Sequence, residues 1–221
     1  MRYVILILIS FLFLGTSSCT KVGRNITVKG KVINPITGTR YPDLKVQLVK
    51  SQSLSLPGGF KEIKHTFTDE NGEFELNATR LGKIWVQVQS GSDLYVIGWY
   101  QDGEYISDNF RTTAQKRKTM EADFHVVPYG EMILHIKNQN CQGPNDTLEL
   151  YLDGSFITYT NQQGLLTTLT GCADAMGNPQ KFPMGERYYH WVVKRDGFPD
   201  EIVYDTVFVQ PNQETILEVF Y

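Results

Sequence analysis

Ile26-Thr27-Val28-Lys29-Gly30-Lys31-Val32 is the stretch that decides the fold class. Apolar or small residues hold every second position, and polar ones hold the positions between. Successive side chains of a strand point to opposite faces, so this period gives a strand with one buried face. The same period recurs outward along the chain. Leu44, Val46 and Leu48 alternate with Lys45 and Gln47, and Ile63, His65 and Phe67 with Glu62, Lys64 and Thr66. Phe74 and Leu76 sit between Glu73, Glu75 and Asn77, and two further runs follow at Ile84–Val88 and Leu94–Tyr100. Turn residues separate them: Asn34-Pro35, Thr37-Gly38, Pro57-Gly58-Gly59, Asn71-Gly72 and Gly91-Ser92. Asn71-Gly72 is the expected hairpin, because both residue types tolerate positive φ. No long segment carries a helical period, so the pattern predicts an all-β sandwich.

Past Tyr100 the pattern loosens. The polar stretch to Glu121 carries Lys116-Arg117-Lys118, read as a solvated loop. Phe124, Val126 and Val127 supply a last strand for a first domain at residues 26–127, and Pro128-Tyr129-Gly130 reads as a boundary. Residues 128–221 then repeat the strand pattern. The runs are Met132–Ile136, Leu148–Leu152, Phe156–Tyr159, Tyr188–Val193, Ile202–Val209 and Ile216–Tyr221. Asp153-Gly154 and Asp196-Gly197 are expected hairpin turns, and Asn161 to Pro183 reads as one long connection. A second β-sandwich, transthyretin-like or immunoglobulin-like, is expected here.

Residues 26–90 resemble a known domain. Val28-Lys29-Gly30-Lys31-Val32, the turn at Pro35 and Gly38, Pro42-Asp43-Leu44-Lys45-Val46-Gln47-Leu48 and Thr66-Phe67-Thr68-Asp69-Glu70-Asn71-Gly72-Glu73-Phe74 follow the order of the carboxypeptidase regulatory-like domain. That resemblance implies a transthyretin-like β-sandwich of about seven strands. The stretch Ser51 to Lys61 is longer than that pattern requires.

The N-terminus carries an address. Arg2 is followed by an apolar run, Tyr3 to Leu14, broken only by Ser10, then by Gly15, Thr16, Ser17, Ser18 and Cys19. This is the layout of a secretory signal over residues 1–18. The run is too short to span a bilayer comfortably, which takes about 20 apolar residues. The segment resembles a bacterial lipoprotein signal, although Thr16 stands where leucine is more usual. That resemblance implies acylation at Cys19 and a lipid-tethered linker over 19–25. Thr20 after the cysteine argues against inner-membrane retention. The absence of acidic residues just beyond it differs from the surface-exported lipoproteins of the Bacteroidota. The expectation is the outer membrane, on its periplasmic face.

The 221-residue chain has a formal net charge of −3, which gives no footprint for nucleic acid. Its length without the signal suits two domains of about 100 residues. Three cysteines are an odd number for an exported protein. If Cys19 is acylated, Cys141 and Cys172 remain, and an oxidising compartment favours a disulfide between them.

Chemistry is sparse. None of His65, His125, His135 or His190 belongs to a zinc motif, and no nucleophile elbow or phosphate loop is present. Asp69-Glu70-Asn71-Gly72-Glu73 has oxygen donors at calcium-like density but reads as a tight turn. No enzyme activity, metal or cofactor is expected. Aromatic residues cluster twice, as Trp85, Tyr95, Trp99, Tyr100 and Tyr105, then as Tyr188, Tyr189 and Trp191. Alternation leaves at least one large ring of each cluster facing solvent or a partner. Trp99, Tyr100, Tyr189 and Trp191 are therefore the candidate binding residues. Asp146-Thr147-Leu148 and Asp205-Thr206-Val207 resemble the O-glycosylation sites of exported Bacteroidota proteins, which implies modification at Thr147 and Thr206. The expected function is a non-catalytic envelope lipoprotein that binds a protein partner. The alternative is a carbohydrate-binding accessory lipoprotein.

Overall fold

The computed structural model describes residues 25–51, 59–79, 83–101, 103–107, 111–113, 119–155 and 164–221. The expected signal, Cys19, the Pro57-Gly58 turn, Lys116-Arg117-Lys118 and the Phe156–Tyr159 strand lie outside the described residues. Sixteen strands and no helix are found among those described. The first eight are β1 (Asn25–Ile33), β2 (Lys45–Ser51), β3 (Phe60–Phe67), β4 (Glu73–Thr79), β5 (Trp85–Gln89), β6 (Leu94–Gln101), β7 (Glu104–Ser107) and β8 (Arg111–Thr113). A long strand follows, β9 (Thr119–Lys137). The rest are β10 (Thr147–Ser155), β11 (Gly164–Thr170), β12 (Asp174–Met176), β13 (Gln180–Pro183), β14 (Gly185–Lys194), β15 (Glu201–Val209) and β16 (Glu214–Phe220). The chain is an all-β sandwich protein.

In the first sandwich, the sheet β4-β1-β9-β6-β7 covers the sheet β3-β2-β5-β8. The opening heptapeptide forms β1, and its apolar residues point inward: Ile26, Val28 and Val32 are all buried. Across the core they meet Val46 and Leu48 of β2 and Val86 and Val88 of β5. Gly30 shares their face. A Cβ there would run into the Ala122 carbonyl, so only glycine lets β1 lie this close to β9.

Asp69 through Glu73 forms the tight turn that the residue types imply. The Asp69 carboxylate accepts the amides of Asn71 (2.9 Å) and Glu73 (2.8 Å), and Gly72 takes φ 69°. The turn is not a hairpin, however. It carries the chain from β3 in one sheet to β4 in the other, and the Gly72 carbonyl accepts the Val32 amide of β1 at 2.8 Å. Turn chemistry fixes the local bend and leaves open which strand the chain pairs with afterwards.

β9 is the structural spine. Its first half pairs with β1 in parallel and β6 antiparallel; its second half pairs with β16 in parallel and with β12 and β13 antiparallel. The expected break at Pro128-Tyr129-Gly130 does not interrupt the strand. Pro128 is the last residue paired with β6, and pairing with β13 begins at Tyr129. Its missing N–H thus falls where the ladder changes partners, a position that tolerates proline.

The second half of β9 and its neighbours pack against the sheet β11-β10-β14-β15. Met132, Ile136, Leu150, Trp191, Leu217 and Val219 form this core. A smaller cluster of Ile97, Val127 and Met184, with Tyr95 and Phe208 against it, lies where the two cores meet. Residues 161–183 are not a plain connection, since they include β11, β12 and β13. Asp153-Gly154 is not a turn either. It lies inside β10, where the register against β14 shifts between Leu152 and Gly154, a β-bulge. Asp196-Gly197 does form the turn between β14 and β15, with the Phe198 amide donating to the Arg195 carbonyl at 3.1 Å.

Candidate functional site: the outer face of the second sandwich

Three of the four candidate aromatics are core residues. Trp99 is 1 % exposed, Tyr189 2 % and Trp191 4 %. Trp99 packs on Phe124 with ring centroids 6.2 Å apart, and the Tyr189 hydroxyl reaches the Met132 sulfur at 3.5 Å. Rings held this way cannot offer a face to a ligand. Tyr100 points the other way and is half-buried between Tyr105 (5.1 Å) and His125 (4.9 Å).

The rings that reach the surface are the alternates of Tyr189 and Trp191. On β14, Tyr188, His190 and Val192 face outward. Register places His190 beside Tyr151 of β10 and beside Tyr204 of β15. Tyr151 and His190 stack at 4.6 Å with planes 3° apart, and Tyr204 lies 5.6 Å beyond His190, tilted by 35°. A row of three planar side chains therefore crosses three strands and ends at the sheet edge. His190 is held by donating Nδ1–H to the Asp153 carboxylate at 2.6 Å. Tyr204 is 73 % exposed and Ile202 54 %. Around them the Tyr151 and Tyr188 hydroxyls donate to Glu149 (2.9 Å) and Glu186 (2.7 Å). Lys194 donates to Glu149 as well (2.7 Å), and that bond, more than the Tyr151 hydroxyl, holds the Glu149 carboxyl below its ordinary pKa. The face is aromatic along its middle and acidic along its rim.

The signal for this face was present in the alternation of Tyr188 to Val193. Both faces of that strand carry large apolar or aromatic groups, so composition does not say which is inside. Tyr151 and Tyr204 belong to other strands, and only the register brings them to His190.

The disulfide is formed. Cys141 and Cys172 have Cα atoms 5.2 Å apart, within the span such a bond requires. Beside it is a buried polar knot. Asp146 is 2 % exposed, and its carboxylate accepts the Gln142 amide (2.9 Å) and the Asn138 side-chain amide (3.0 Å). Asn138 also donates to the Gly171 carbonyl (3.1 Å), and the Arg195 guanidinium lies 3.7 Å from Asp146. The Gln142 amide first, then Asn138, hold the Asp146 carboxyl below its ordinary pKa. A carboxyl with a lowered folded-state pKa adds stability in full above its unfolded value, and loses it as pH falls through the folded one. The second sandwich should therefore weaken in acid, below about pH 4. Asp146→Asn should flatten that loss; an unchanged slope in pH-dependent denaturation would remove Asp146 from the account.

Thr206 is exposed on the outer face of β15, whereas Thr147 is half-buried in β10 and donates its hydroxyl to the Asn145 carbonyl at 3.2 Å. Among the described residues no group of three or more His, Cys, Asp or Glu side chains is placed to hold a metal ion. An open groove of about 630 Å³ lies over β1, β4 and β9. In its lining Lys29 pairs with Glu121 (3.2 Å) and Lys31 with Asp123 (3.6 Å), and Asp69, Glu73 and Glu75 add three further carboxylates.

No family model matches the chain, and no curated protein does. Several solved structures are similar. The Bacillus anthracis TIE protein is 13 % identical with a TM-score of 0.34; the match covers 89 % of this chain and 33 % of that one. A Streptococcal ancillary pilin is 15 % identical with a TM-score of 0.33, covering 89 % and 62 %. A DUF3823 family protein from Bacteroides uniformis is 12 % identical with a TM-score of 0.29, covering 85 % and 99 %. The chain thus spans a third of the length of the first and under two thirds of the second. At these scores the likenesses concern β architecture and bear on no activity.

Proposed function

We propose that the chain is a lipid-tethered, non-catalytic envelope module that works by binding a protein partner. The observation that supports this most is the outer face of β10, β14 and β15, with Tyr204 and Ile202 exposed beside the Tyr151–His190 stack. Exposed aromatic and aliphatic side chains with a polar rim are the usual composition of a protein interface. The geometry favours protein over glycan. Tyr151 and His190 cover one another's ring faces, and sugars stack on open faces. The tether is Cys19, acylated and anchored in the outer membrane on its periplasmic side, and Thr206 is the better placed of the two O-glycosylation sites.

The test uses the full chain in its own envelope. Cys19→Ala should release the protein from the membrane fraction, and protease added to intact cells should leave the wild type uncut. Chemical crosslinking should give discrete adducts with the wild type that disappear in Ile202→Ser/Tyr204→Ser. Adducts unchanged by that double substitution would refute the binding face; membrane association unchanged by Cys19→Ala would refute the tether.

A further inference from the structure

We propose that the two sandwiches form one rigid body, so that the chain serves as a stand-off holding the outer face of β10, β14 and β15 at a fixed distance and direction from its anchored end. The consequence for that face rests on the tether and the binding surface proposed above. The rigidity does not, and it is measurable without a partner.

Domains joined by a single chain crossing usually move against each other, unless a large apolar interface holds them. Here the crossing lies at Pro128-Tyr129, inside β9. A hinge needs loop or element-terminal residues that are free to change φ and ψ. The residues at this crossing are not free. Tyr95 and Leu94 of β6 pair with Val127 and Pro128, and Pro183 and Phe182 of β13 pair with Tyr129 and Gly130. Glu214 of β16 then pairs with Glu131. The ladders of the two sandwiches meet with no unpaired residue between them.

Side chains brace the crossing from two separate segments of the first sandwich. One is the connection after β1. Asn34 is buried; its carboxamide oxygen accepts the Ile36 amide at 2.8 Å, which closes its own turn, and its nitrogen reaches the Met184 sulfur of the second sandwich at 3.7 Å. Ile36 and Phe208 pack on the buried cluster of Ile97, Val127 and Met184, and the Met184 amide donates to the Pro128 carbonyl at 2.9 Å. The other segment is the turn before β6. Lys181 lies over the Tyr129 ring at 4.7 Å and donates to the Ser92 carbonyl at 2.6 Å. The Tyr129 amide donates to the Asp93 carbonyl at 3.2 Å, and the Tyr95 ring meets the Tyr129 ring edge-on at 6.0 Å. Any swing of the second sandwich about β9 has to break contacts at both segments and expose the apolar cluster.

The direction follows from strand order. β1 runs parallel to β9 with Thr27 opposite Thr119, so Asn25 lies at the starting end of β9. β9 continues for 19 residues to Lys137. At about 3.3 Å per residue that is a span of up to about 60 Å. The turn between β14 and β15 lies at the far end, where Arg195 approaches Asp146 and Asp146 accepts Asn138. The first sandwich is thus the one next to the tether, and the second carries its face outward from it.

Nitroxide labels on Lys50→Cys and Asp200→Cys, exposed positions in the first and second sandwiches, test this by double electron–electron resonance on detergent-solubilised full chain. The expected result is a single narrow distance peak. Lys181→Ala/Met184→Ala, which weakens both braces, should broaden that peak by about twofold or more while the far-ultraviolet spectrum stays unchanged. A wild-type distribution that is broad or has two peaks overturns the rigid body, whatever the crosslinked adducts do. A peak equally narrow in the double variant overturns Lys181 and Met184 as positioning residues. A narrow wild-type peak together with adducts that survive Ile202→Ser/Tyr204→Ser refutes the binding face and leaves the rigid body standing.

Discussion

Replacing Trp99 by alanine is expected to destabilise the first sandwich by about 3–5 kcal/mol, the usual cost of emptying a large aromatic site in a packed core. The indole is 1 % exposed and packs on Phe124, which in turn meets Phe74 from β4 at 6.1 Å. Phe124 belongs to β9, whose backbone is fixed by ladders to β1 and β6 on its two sides, so it has little freedom to close the void. A second substitution separates packing from polarity. The Trp99 indole N–H is buried without an acceptor, so Trp99→Phe removes an unsatisfied donor along with part of the ring. Its cost should therefore fall well below that of alanine, to about 1–2 kcal/mol or less. Denaturant titration measures both. A loss under about 1 kcal/mol for Trp99→Ala would mean that the site collapses freely, and that this core is looser than its burial indicates.

The same residue shows how far sequence reaches. Alternation identified β1, β2, β4, β10 and β16, because each puts one apolar row against a core and one largely polar row against water; β6 and β14 were recognised as strands as well. It could not choose a face where both rows are large, which is why Trp99, Tyr189 and Trp191 looked available and Tyr204 did not stand out. It also passed over β7, β8, β11, β12 and β13. All but β11 have three or four residues, shorter than any window in which a period can be seen, and the seven residues of β11, Gly-Leu-Leu-Thr-Thr-Leu-Thr, do not alternate. The tight turn at Asp69–Glu73 was legible because its chemistry is local, but its role as a bridge between sheets was not. That depends on Val32 and the Gly72 carbonyl, some forty residues apart in the chain. The stack at His190 is non-local in the same sense: three strands, a bulge and a register must agree before the rings meet.

Removing the Cys141–Cys172 bond, by Cys141→Ser/Cys172→Ser or by reduction, is expected to lower the stability of the second sandwich by about 3–4 kcal/mol, from the entropy the unfolded chain regains. The bond closes a loop of 31 residues in sequence separation and joins the segment after β9 to the segment between β11 and β12. The native geometry does not rest on that bond alone. Asn138, Asp146 and Gly171 tie the same two segments together by hydrogen bonds, and the Tyr221 hydroxyl adds another to the Gly171 carbonyl at 3.3 Å. The reduced protein should therefore keep its native fold while its denaturation midpoint falls. Trp191, the sole tryptophan of the second sandwich, is buried at 4 % and reports that midpoint by fluorescence. The loss should be larger in the background of Asp146→Ala, since the hydrogen-bonded knot and the covalent bond restrain one loop. Strictly additive effects would show that the two act independently. A reduced protein with an unchanged midpoint would show that the knot alone fixes these segments, and that their cross-link serves something other than stability.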